Sequence, residues 1–282
     1  MTFADNNTIT GFKPDFIFID RNDTIYVAVA DMNSVFIWFK GNLNNTRILS
    51  GNLETPKSLF VKENGDIYVE NGRRHQIDKW TINSSISVPI ASVISQCNGL
   101  FIDHNNRIYC SITSYSHRVI KLSLSNVTNP WITVAGNGSN GLASNMLDVP
   151  KGIFVDDDFN LYVADWRNDR IQFFQTETLN GTTLAGNGAP NTIALYAPTD
   201  VILDADRNIF ITDWANHRIV RSGPNGFQCI IGCYNSYGSA ANQFRYPISL
   251  AFDRIGNIYV TDNQNDRIQK LILIDNSYGM FE

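Results

Sequence analysis

Residues 161–174 read LYVADWRNDRIQFF. The stretch recurs as IFITDWANHRIVRS at 209–222 and IYVTDNQNDRIQKL at 258–271. In each copy a short apolar run ends in an acid: Asp165, Asp213 and Asp262. An amide follows three residues later, at Asn168, Asn216 and Asn265, and an arginine two further on, at Arg170, Arg218 and Arg267. A catalytic centre occurs once per domain, so a loop in three copies reads as a structural part. The acid can accept hydrogen bonds from the loop and from the arginine, bolting one strand to the next.

Outward from this motif the unit grows. About fifteen residues before each acid a proline opens an apolar run: PKGIFVD (150–156), PTDVILD (198–204) and PISLAFD (247–253). PDFIFID (14–20) and PKSLFVK (56–62) start the same way, and CNGLFID (97–103) has cysteine in the proline slot. Six copies spaced roughly 40 to 55 residues apart match the period of propeller blades. Each unit reads as four antiparallel strands. The Pro-led run comes first and the LYVAD-type run second. The RIQFF-type run is third, and ITVAGNG (132–138), TTLAGNG (182–188) or TRILSGN (46–52) is fourth. The last unit lacks a fourth strand downstream. Residues 1–7 align with the fourth strands ITVAGNG and TTLAGNG, so the N-terminus is expected to complete the last blade and close the ring. The expected fold is all-β, a six-bladed propeller in which residues 1–282 form a single domain.

This pattern resembles the NHL-repeat family of six-bladed β-propellers over essentially the whole chain. The motif that names the family is close to NHRI at 216–219 and to NDRI at 168–171 and 265–268. Blade two keeps only the frame, with Asn71 in the acid's place. Blade three has an extra residue before His117, and blade one (25–38) aligns in two ways. The resemblance implies a protein-, peptide- or glycan-binding propeller without catalysis. Two alternatives accompany it. One is a metal-dependent enzyme like the peptide-amidating lyases or the calcium-dependent lactonases. The other is the substrate-recognition propeller of a ubiquitin ligase, whose zinc-binding cysteine modules this sequence lacks.

The chemistry in the sequence favours binding. The four histidines, His75, His104, His117 and His217, lie in loops or turns, with no HxH, HExxH or CxxC pairing for zinc. The positions just after the proline slot should ring the mouth of the central channel. Asp15, Lys57, Asn98 and Lys151 belong there, with Asp200 one step further in, and these are the expected ligand-binding residues. Three of them offer oxygen to calcium, the alternative cofactor, but two lysines in the same ring oppose a cation. Trp166 and Trp214 flank the mouth. With a net charge of −5 the chain lacks the basic face that nucleic acid requires; Arg73-Arg74-His75 is its one basic knot. No apolar stretch approaches the roughly 18 residues of a membrane span.

Seven Asn-X-Ser/Thr sequons occur, at Asn6, Asn22, Asn44, Asn83, Asn126, Asn137 and Asn180. Asn22 falls in a first-to-second turn, and Asn44, Asn83, Asn126 and Asn180 in third-to-fourth turns, so these five glycosylation candidates share one face. Glycans there would leave the opposite face for ligands, with the channel mouth and the connections 136–149, 186–197 and 232–246. Asn-rich turns without glycans are the other reading. Four cysteines allow three connectivities. Cys97 and Cys110 lie on neighbouring strands within reach of each other. Cys229 and Cys233 would stand roughly 13 Å apart on an extended strand, unless Gly232 lets CIIGC curl into a small loop. Buried thiols are the alternative. Disulfides and glycans point outside the cell or to a lumen. MTFADNNTITGFK is not a signal peptide, which leaves a piece of a longer protein or a cytosolic chain.

Overall fold

The computed structural model describes all residues except 6, 45, 235, 276–279 and 282. Six four-stranded antiparallel sheets form a ring. Blade four shows the plan: Pro150–Val155, Leu161–Asp165, Arg170–Phe174 and Thr182–Gly186, each paired with the next. The second strands are buried at nearly every position, since they meet a neighbouring blade on each face, and β-branched residues fill them. The apolar clusters sit between blades; one joins Ile25, Val27 and Trp38 of blade one to Tyr259 and Ile268 of blade six.

The ring closes as the sequence reading expects. Thr2–Asp5 pairs antiparallel with Arg267–Leu271 and is the outer strand of blade six. Phe3 stands edge-on to Trp38 of blade one (centroids 5.7 Å) and to Tyr259 of blade six (5.5 Å), so the closing strand also fastens the seam between first and last blades.

The repeated motif acts as a bolt with a wider reach than one hairpin. Asp165 accepts from Asn168 (2.8 Å) and from Nε of Arg170 (2.7 Å), and its other oxygen accepts the backbone N–H of Asp148 (2.6 Å). Arg170 in turn donates to the carbonyls of Leu142 and Met146, both at 2.9 Å. The connection entering the blade is thus pinned to the hairpin. Blades five and six repeat the set through Asp213 and Asp262. In blade two, Asn71 takes the acid slot and Gln76 the arginine slot, while the carboxylate moves across the pair to Asp78, which Asn71 and Gln76 bond at 2.6 and 2.7 Å. The strand register also settles blade one: Val29 occupies the acid slot and Ser34 the arginine slot, so this blade has no bolt.

A second device links blade to blade. Thr55, Val149, Ala197 and Tyr246, each just before a proline-led strand, have φ between 53° and 55°. Side chains disfavour that region, β-branched ones most. Each of the four donates its backbone N–H to a side chain at the second-to-third turn of the preceding blade: Asn33, His117, Asp169 and His217 respectively, at 2.7–3.1 Å, and all of these but His117 are left-handed. These bonds offset the strain. They also account for two of the histidines, whose Nδ1 atoms accept these bonds. Burial pulls the His217 imidazole below its ordinary pKa, helped by Arg245 and opposed by Asp262 and Asp213. Because the folded pKa lies below the unfolded one of about 6.5, the stability it contributes is full above that pH and is lost as pH falls below it. Asp200 and Glu70, raised by burial, act in the opposite direction. The comparison is therefore between parent and variant: His217→Asn, which keeps an acceptor in a residue tolerant of positive φ, is expected to lose less melting temperature than the parent between pH 7 and 5.5. Equal losses by differential scanning fluorimetry would sink the assignment.

Both cysteine pairs are disulfides. Cys97–Cys110 spans neighbouring strands with Cα atoms 5.2 Å apart. Cys229–Cys233 closes a small loop at 5.6 Å, made possible by Gly232 at φ 75°. Asn22, Asn44, Asn83, Asn126 and Asn180 are all exposed in turns on one face of the ring. Asn137 is exposed at the other face's fourth-strand end, and Asn6 lies outside the described residues. No helix among the described residues is long and apolar enough to cross a membrane.

Candidate functional site

The six first strands line the central channel, and their equivalent positions stack in tiers. At the mouth stand Asp15, Lys57, Asn98, Lys151, Thr199 and Ile248, all on one cup of about 210 Å³. Below them come Phe16, Ser58, Gly99, Gly152, Asp200 and Ser249. Toward the far end Phe18, Phe60, Phe101 and Phe154 follow one another at 5.0–5.3 Å between ring centres and, with Phe16, Ile202 and Phe252, line a second, apolar cavity of about 200 Å³. The polar cup opens at the mouth face. That face is opposite the five sequon turns, because first strands start where second-to-third turns lie.

The cup brings together all five residues expected from the sequence, and the structure separates their circumstances. Lys57 pairs with Asp15 at 3.2 Å, and Asp15 also accepts the Ala30 N–H at 2.8 Å. Lys151 donates to Oδ1 of Asn98 at 2.9 Å, and Asn98 donates to Thr113 at 3.0 Å. Burial, with Lys57 and Arg167 as like charges nearby, brings the Lys151 ammonium down to about 8. Asp200 sits on the floor, fully buried, accepting from Ser249 Oγ (2.8 Å) and from the N–H groups of Val201 (3.0 Å) and Leu250 (3.3 Å). Burial pushes its carboxyl up to about 7. Gly152 makes room for it: a Cβ there would fall 2.2 Å from Asp200 Oδ1. Each of the Asp15, Asn98 and Asp200 oxygens thus accepts at least one protein donor. Among the described residues no three or more of His, Cys, Asp and Glu are grouped so as to hold a metal ion.

The wall on the side of blades four to six is aromatic. Trp166 and Trp214 line the cup with centroids 6.1 Å apart. Tyr246 lies 4.4 Å from Trp214 and 4.4 Å from His217, and His217 lies 5.5 Å from Tyr237, extending the row outward. Lys151 Nζ lies 5.8 Å from the Trp166 ring centre. The sequence reading missed Tyr246 and Tyr237. The one signal available was that both lie on the connection before blade six, on the mouth face. It also missed Glu70, buried beneath the mouth and raised to about 8 by burial, which accepts the Lys57 N–H at 3.1 Å.

Comparison with protein-family models and with curated proteins finds no match. Solved structures define the class: this chain is a six-bladed β-propeller similar to many others. An auxiliary nutrient binding protein from Bacteroides thetaiotaomicron is similar at 13% identity and TM-score 0.70, over 92% of this chain and 68% of that one. A catalytically inactive His-to-Ala variant of virginiamycin B lyase from Staphylococcus aureus, with quinupristin, gives 14% and 0.65, over 97% and 85%. A chain of the nidogen/laminin complex gives 17% and 0.66, over 94% and 90%. At these identities the likeness is one of fold.

Proposed function

We propose that this chain is a non-enzymatic binding propeller of the NHL type that holds a protein, peptide or glycan ligand in the channel-mouth cup. One observation carries the reading. The repeated Asp–Asn–Arg groups are engaged in internal bonds, whereas the polar and aromatic side chains outside that motif converge on one open cup. The nutrient-binding and nidogen/laminin structures support binding as a use of this fold. The lyase supports the enzymatic alternative, but of the three histidines in this chain's mouth-face turns, His75, His117 and His217, none is among the cup's lining residues, and the last two spend Nδ1 on backbone N–H groups. The two disulfides and the five exposed sequons favour an extracellular or luminal setting with glycans on the face away from the cup.

The test is a glycan and peptide array probed with protein made through a secretory route. Wild type is expected to bind, and Trp166→Ala/Trp214→Ala to lose the signal while keeping its melting transition. Enzymatic removal of N-glycans is expected to lower the mass and leave binding intact. Array binding that ignores both tryptophans overturns the placement of the site.

A further inference from the structure

Resting on that placement, we infer that the cup takes an acidic sugar residue: a single pyranose ring whose carboxylate meets Lys151 and whose C–H groups lie against the corner made by Trp166 and Trp214. Three features of the cup lead there.

The first is charge. Of the two lysines at the mouth, Lys57 has a carboxylate partner in Asp15 and Lys151 has none, only the neutral amide oxygen of Asn98. The charges acting on Lys151 are Lys57 and Arg167, both positive. Asp200 does not answer it, since that carboxyl is turned to Ser249 and to backbone N–H groups. An enclosed ammonium without a counter-charge is costly, and an incoming carboxylate removes that cost. The mouth thus holds one cation, Lys151, that no carboxylate pairs with, in a chain whose net charge is −5, so the attraction for a carboxylate is local to this spot and not spread over the surface.

The second is size. About 210 Å³ lies below the 300–1,000 Å³ usual for drug-sized ligands. One ring with its carboxylate fits, and a longer ligand would rest its remainder on the row through Tyr246 and Tyr237. The third is amphipathy. The indoles of Trp166 and Trp214, their planes 64° apart, stand on one side, and Asn98 and Thr199 on the others. A sugar ring presents C–H groups on its faces and hydroxyls at its rim, which matches such a wall; a purely aromatic acid leaves the polar groups unused.

The experiment is isothermal titration of the intact protein at pH 7 with sodium glucuronate, glucose and sodium acetate, followed by tryptophan fluorescence. Glucuronate is expected to bind at least about tenfold tighter than either glucose or acetate, since each lacks one of the two contacts. Lys151→Met is expected to erase the preference over glucose and keep the wild-type melting temperature. Three results would overturn the inference: glucose binding as well as glucuronate, acetate doing so, or Lys151→Met binding glucuronate undiminished. In each of these the cup remains a ligand site if array binding still depends on Trp166 and Trp214. If the array is also blank, the cup reading falls with it.

Discussion

Asp262→Ala is expected to lower the melting temperature by on the order of 10 °C, from a loss of about 3–5 kcal/mol. The acid is fully buried and its arginine partner nearly so, with side chains 0% and 11% exposed. Truncation leaves the Arg267 guanidinium without its carboxylate, orphans the N–H of Arg245, and takes from the Asn265 amide one of its two acceptors, the other being the Gly238 carbonyl. Arg267 keeps its bonds to Ser239, Ala240 and Gln243, so the cationic group stays in place while its charge goes unanswered. Blade two offers the internal control, since there the same slots hold Asn71, Gln76 and, across the pair, Asp78 in place of an Asp262, Arg267 and Gln269 set. The triple variant Asp262→Asn/Arg267→Gln/Gln269→Asp is therefore expected to recover at least half of the lost stability. If Asp262→Ala melts within a degree or two of wild type, the bolt is not a stabilising element.

Removal of residues 1–7 is expected to have an effect as large, and of a different kind. Without Thr2–Asp5 the strand Arg267–Leu271 becomes a free edge, and unpaired strand edges recruit other chains. The seam loses Phe3 from between Trp38 and Tyr259. The truncated protein is expected to melt at least about 10 °C lower and to elute from gel filtration as dimers or larger species. Phe3→Ala keeps the strand pairing and removes the aromatic contact alone. It should cost roughly 2 kcal/mol and leave a monomer-like elution unchanged, which separates seam packing from edge protection. A truncated chain with wild-type melting and elution would show that closure does not depend on this strand.

Much of this was legible in the residues. Six proline- or cysteine-led runs set the number of blades, because a propeller strand needs only local patterning and the repeat supplies it six times. The fourth-strand likeness of the N-terminus announced the closure. Four of the five cup residues came from one column of the repeat and Asp200 from the next, and any propeller carries such columns to one end of its channel.

What the residues alone determined about this protein is whatever the repeat writes locally: strand order, the acid–amide–arginine bolt, the face on which each turn falls, and the tier to which Lys57 or Asp200 belongs. Tertiary structure decided how the members of a tier deal with one another. That Asp15 pairs with Lys57 and leaves Lys151 to an amide depends on how neighbouring blades are set, and those side chains are forty or more residues apart in the chain. The bonds from the strained residues before the prolines to their histidine, asparagine and aspartate partners, and the aromatic row from Trp166 to Tyr237, likewise exist only between blades. The physical reason is that a repeat records how each blade folds on itself, whereas contacts across a channel or a seam are made when the ring closes and brings equivalent positions of different blades into reach.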